Sequence, residues 1–134
     1  MVVTEQEFKF ALSPHPIHSP IYRKDLFKDL KFMLVSGQFE IASVIQLITV
    51  PGHTPGTQAV VINTEKGKAI ITGLCGIKEN FEPPKEVREI LPVLAPGVHL
   101  NAVDAFDSAL RIKDLADILI PIHDSSFIGI ESIP

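Results

Sequence analysis

Five histidines and one cysteine are the residues of this chain on which metal chemistry could rest: His15, His18, His53, His99, His123 and Cys75. Imidazole nitrogen and thiolate sulfur are ligands that suit zinc and other borderline metals. His53 is the most constrained of them. It stands in Thr49-Val50-Pro51-Gly52-His53-Thr54-Pro55-Gly56-Thr57-Gln58, a turn between two apolar runs. Pro51 and Pro55 fix φ there, while Gly52 and Gly56 allow φ > 0 or a close backbone approach. A turn held this rigidly loses little further entropy when its side chain binds something, so His53 reads as a ligand. The plainer reading is a surface histidine that caps local backbone groups. His123 ends the run Ile118-Leu119-Ile120-Pro121-Ile122 and is followed by Asp124, the kind of acceptor a metal-bound imidazole uses. A strand-end histidine bonded to Asp124 is its structural alternative. Cys75 follows Ile70-Ile71-Thr72-Gly73-Leu74, where it reads either as a soft metal ligand or as a small buried hydrophobe. His99, on a loop, could face the same site, whereas His15 and His18 sit around a proline turn with poor ligand spacing. No other nucleophile is supported: Ser125-Ser126 has no elbow motif, and Gly52 to Gly56 matches no phosphate loop.

The elements that must position these residues are legible from periodicity. Thr4-Glu5-Gln6-Glu7 is a capped helix start, with Phe8, Phe10, Ala11 and Leu12 behind it and a stop before Ser13-Pro14. Three prolines make residues 14–20 an extended loop. Lys24 to Leu34 predicts a short amphipathic helix leading into a first strand. Phe39 to Val50 predicts one or two strands, Ala59 to Thr64 another, and residues 63–68 a polar hairpin that returns as Ala69 to Thr72. After an irregular stretch with Pro83-Pro84 come a short helix over Lys85 to Ile90 and a loop through Pro92 and Pro96-Gly97. Val103, Phe106, Ala109, Leu110, Ile112 and Leu115 then recur at helical spacing, and Ile118 to Ile122 is a buried-type strand. The order predicts an α+β domain with a mixed sheet of about four or five strands and flanking helices.

At 134 residues the chain is expected to be a single domain over residues 1–134. Its apolar fraction of 46% and mean hydropathy of +0.26 are high for so small a domain, which predicts that some apolar surface meets another chain. A net charge of −4 argues against nucleic acid or an anionic membrane as partner. One cysteine excludes an internal disulfide and favours the cytoplasm. No apolar run approaches the roughly 18 residues of a membrane span.

The His53-Thr54-Pro55-Gly56 turn followed by a strand resembles the metal-binding turn of metallo-β-lactamase-fold hydrolases, in the glyoxalase II-like and lactonase-like branches. The hairpin, Ile71-Thr72-Gly73, the helix and Ile118 to Asp124 follow in the order this resemblance implies, from about Val3 to Phe127. It implies the second part of an αββα sandwich, with His53 and His123 carried over as metal ligands. The family's His-x-His-x-Asp-His cluster occurs nowhere in the chain. Its bridging aspartate is replaced by Leu74, and Cys75, one residue further on, could stand in for it if the strand end turns by one residue. The expected metal set is His53 and His123 from the resemblance, joined by Cys75, with zinc as the cofactor, iron or manganese as alternatives, or no metal at all.

Hydrolysis in such a fold needs a metal held by three or more protein ligands with one position open. The expectation is a truncated or degenerate member of the family, non-catalytic alone, persisting as a symmetric homodimer that covers the sheet face a half sandwich leaves open. The alternative is a metal-dependent hydrolase of esters, lactones or thioesters, its site completed by a partner chain or by Cys75 and His99. A third reading is a binding module that keeps the cleft for a small ligand.

Overall fold

The computed structural model describes residues 1–132. The chain opens with β1 (Val2–Thr4) and α1 (Glu5–Leu12). Thr4 caps α1 as its sequence predicts, its Oγ1 accepting from Glu7 N at 3.0 Å. The short helix leading into a strand that residues 24–34 predict is present as one turn, α2 (Lys24–Phe27), followed by β2 (Met33–Val35). So short a helix is marginal alone. β2 joins β1 in a parallel ladder, Val2 opposite Met33 and Thr4 opposite Val35. Phe8, Phe27 and Phe32 pack beneath that pair.

The middle of the chain forms β3 (Phe39–Ala42), β4 (Ile45–Thr49), β5 (Gln58–Thr64) and β6 (Gly67–Ile71), a meander of antiparallel neighbours. The run over residues 39–50 is thus two strands. Then come α3 (Lys78–Phe81), α4 (Lys85–Arg88), α5 (Ala102–Leu115), β7 (Ile118–Ile120) and a short 3₁₀ turn at Ser125–Phe127. β7 lies parallel to β6, so a crossover is obligatory, and α3 to α5 supply it. The expected mixed sheet is present with five strands in the order β3-β4-β5-β6-β7, and β1-β2 forms a separate two-stranded ribbon.

One face of the five-stranded sheet carries the core. Ile48, Ala59, Val61 and Ile70 meet Ala109 and Ile112 of α5, with Leu74, Phe81 and Val93 closing the end. Asn101 starts α5 by accepting from Val103 N and Asp104 N. The opposite face is also apolar. Side chains paired across neighbouring strands share a face, and Phe39, Leu47, Val60, Ile71 and Ile120 pair in one continuous row. Leu47 is buried, but the other four are only half-buried. The ribbon shows the same pattern: consecutive Met33 and Leu34 point to opposite faces and are 55% and 45% exposed. Strands apolar on both sides belong to sheets covered on both sides. Among the described residues, no helix is long and apolar enough to cross a membrane.

Candidate metal centre

The turn between β4 and β5 is built by its glycines and pinned from three directions. Gly52 has φ of +131°, and its carbonyl accepts from Leu100 N at 2.7 Å and Asn101 N at 3.2 Å, tying the turn to the loop before α5. Ser108 of α5 donates to Pro51 O at 2.7 Å. On the other side Thr4 Oγ1 donates to Gly56 O at 2.9 Å. Val50 N donates to Thr57 O at 2.8 Å and closes the loop.

His53 projects from this frame, half-buried. Its Nδ1 lies 3.0 Å from Val98 O, and since a carbonyl only accepts, Nδ1 carries the proton and donates. The lone pair of the neutral ring is then on Nε2, which faces Cys75 Sγ at 3.6 Å. A backbone carbonyl fixing one nitrogen so that the other can bind is the usual support of a metal-ligating imidazole. The spacing fits as well. A nitrogen and a sulfur bound to one zinc at their ordinary lengths and a tetrahedral angle lie about 3.6 Å apart. Cys75 is free, and burial pushes its thiol pKa above the ordinary value, so a metal entering here must displace the thiol proton.

The remaining sequence candidates stand elsewhere. His123 is exposed on the turn after β7 and does not complete a group of three with His53 and Cys75. Asp124 does not serve it as an acceptor; its carboxylate accepts from Lys78 N at 2.7 Å and from Ser126 N at 2.8 Å, tethering this turn to α3. His99 is held like His53, Nδ1 donating to Pro96 O at 2.6 Å. It lines a cavity of about 190 Å³ together with Phe10, His18, Tyr22, His53 and Val98. His18 thus shares a cavity with His53, while His15 is engaged locally with Ile17 N. Leu74, at the position of the family's bridging carboxylate, is fully buried in the core. Among the described residues, no three His, Cys, Asp or Glu side chains are grouped so as to hold a metal ion. His53 and Cys75 come together as a pair, and no catalytic step can be assigned to a pair alone. Two buried polar atoms, Gln58 Nε2 and Thr72 Oγ1, have no hydrogen-bond partner among the described residues. They sit at the strand ends beside the turn, where Gly73 packs against Gln58 O.

No protein-family model matches the chain. An N-acyl homoserine lactonase of Bacillus sp. is 37% identical over 68 residues, covering 48% of this chain and 27% of that enzyme. The N-acyl homoserine lactonase of Bacillus thuringiensis is 31% identical over 85 residues, covering 61% and 32%. The crystal structure of a quorum-quenching N-acyl homoserine lactone lactonase superposes with a TM-score of 0.69 at 25% identity, over 96% of this chain and 50% of that one. The chain has the metallo-β-lactamase fold. It spans about half of the solved relative and a smaller share of the curated ones. A dizinc quorum-quenching lactonase shares the fold, with a TM-score of 0.64 at 18% identity.

Asp124 gives a pH prediction. Its bonds to Ser126 and to Lys78 N hold its carboxyl below the usual range. A depressed folded pKa contributes order that is present above the unfolded value and lost as pH falls through the folded one. The 124–127 turn is therefore expected to loosen in acid below the ordinary carboxylate range, with amide exchange at Lys78 and Ser126 rising first. Asp124→Asn should show that faster exchange already at neutral pH.

Proposed function

We propose that this chain supplies one half of a metal-dependent lactonase-type site and has no hydrolytic activity on its own. The observation that carries this reading is the His53–Cys75 pair, one nitrogen pinned to Val98 O and the other 3.6 Å from sulfur. Zinc is the cofactor this ligand pair suits, with iron or manganese as alternatives. When bound it would supply Lewis acidity toward a lactone or a related ester, the class on which the lactonase relatives act. The chain's own contribution is to orient His53 through Val98 O and to offer the Cys75 thiolate. His123 joins this set only with a movement of the turn that carries it.

The partner in this reading is a second copy of the chain. The half-covered row from Phe39 to Ile120 and the ribbon exposed on both faces form an apolar surface that isolated small domains rarely leave open. Two copies related by a two-fold axis would cover it with identical surfaces. A cytoplasmic location goes with the single cysteine. Sedimentation equilibrium at micromolar concentration tests the assembly: the expected result is twice the chain mass, and a stable monomer would overturn it.

A further inference from the structure

We infer that Glu7 is a positioning residue for His53, acting through Thr54. The inference rests on the reading of His53 as a metal ligand only for its consequence, since the geometry stands without it. Thr4-Glu5-Gln6-Glu7 has the pattern of a capping box, in which the carboxylate of the third helical residue turns back to the backbone N–H of the cap. Glu7 does otherwise. Its Oε1 accepts from Tyr22 OH at 2.6 Å and its Oε2 from Thr54 Oγ1 at 2.5 Å, forty-seven residues away in sequence. The carboxylate has been turned from its own helix to the residue beside His53.

The hydrogen-bond directions are fixed along this path. A carboxylate only accepts, so the single hydroxyl proton of Thr54 goes to Glu7. The single hydroxyl proton of Thr57 is then left for Thr54 Oγ1 at 2.8 Å or Thr54 O at 3.2 Å, while its oxygen accepts from Thr54 N at 2.9 Å. Thr54 and Thr57 are buried, so no water replaces these partners. Tyr22 is held in its protonated, donating form, because burial and the neighbouring Glu7 raise its pKa above the ordinary phenol value. Gly56 completes the joint: a side chain there would collide with Glu7 N and Thr4 Oγ1. The His53 turn is thereby docked on α1 by its threonine and its glycine, while Tyr22 lines the same cavity as His53. Glu7 sets where the imidazole points without touching it.

The test uses the full chain as wild type, Glu7→Ala, Glu7→Gln and Tyr22→Phe, with Glu5→Gln on the exposed side of α1 as control. Nitrogen NMR of the His53 ring in metal-free protein reads its tautomer, and titration with cobalt(II) ion reads the Cys75 thiolate-to-metal absorption. In wild type the ring should show a fixed Nδ1–H form. In Glu7→Ala its two nitrogen shifts should move toward each other as the tautomers average, and cobalt affinity should fall about tenfold, the lower end of the loss that supporting partners of metal ligands cause. Glu7→Gln keeps the side-chain length and one acceptor, so it should lie between the two and serve if Glu7→Ala does not fold. Tyr22→Phe should produce a smaller shift, and Glu5→Gln none. Folded Glu7 variants that melt earlier yet leave the His53 nitrogen shifts unchanged would overturn the inference and leave Glu7 a stabilising residue only. Responsive His53 shifts with no thiolate–cobalt band in wild type would uphold the positioning role and refute the metal reading.

Discussion

Gly52→Ala is expected to destabilise the protein by about 2–5 kcal/mol, a large share of the roughly 5–15 kcal/mol that holds a domain folded. Two effects add. The φ of +131° at this position is open to glycine and strained for any residue with a Cβ, at a cost of about 1–2 kcal/mol. The new methyl group would also land on the backbone of Ala105 in α5. Forcing an atom into a packed contact costs about 1–3 kcal/mol further. α5 cannot step aside cheaply, because Leu100 N and Asn101 N both bond Gly52 O and Ser108 bonds Pro51 O. Thermal melting should show a fall of more than about 6 °C, given a few degrees per kcal/mol for chains of this size. Gly97→Ala, where an added Cβ meets nothing, is the matched control and should melt like wild type. A Gly52 variant that melts within a degree or two of wild type would mean that the turn is not built as described.

The second large effect concerns the ligand pair. Cobalt(II) added to the chain should give one thiolate-to-metal band, which Cys75→Ala abolishes and His53→Ala weakens by about 100-fold or more, beyond the 10–100-fold that loss of a supporting group costs. His123→Ala should change the affinity no more than about twofold, because its ring stands apart from the pair on an exposed turn. A band that survives Cys75→Ala would refute the pairing, and one that depends equally on His123 would show that its turn closes onto the metal.

Much of this arrangement was legible in the sequence, and the exceptions have physical causes. Runs of β-branched and aliphatic residues located β4, β5 and β6, and the period of Val103, Phe106, Ala109, Leu110, Ile112 and Leu115 located α5. The rigidity of the Pro51-Gly52-His53-Thr54-Pro55-Gly56 turn was readable because proline and glycine fix backbone geometry locally. α3 went unread, since four residues carry no period and the residue before it, Ile77, has no capping side chain. The short helix and the strand after it were both readable over residues 24–34, but the parallel pairing of β2 with β1, remote in sequence, was not. The contact of Cys75 with His53 was foreseen as a shared site. The support of His53 by Val98 was not, since nothing in a valine signals that its carbonyl will be an acceptor. Glu7 and Tyr22 were missed for a related reason. Glu7 looked like half of a capping box, a local role that fully accounted for it until its carboxylate was seen to bond elsewhere.

On the proposed reading this chain holds two corners of a hydrolytic metal site and is inactive alone. The most direct test is lactone ring opening by the purified chain in the presence of zinc, followed beside His53→Ala and zinc alone. The expected result is that wild type opens an acyl lactone no faster than either control. Turnover above the zinc background that disappears in His53→Ala would contradict the claim, because it would require a complete site in a chain whose described residues group no three metal-binding side chains.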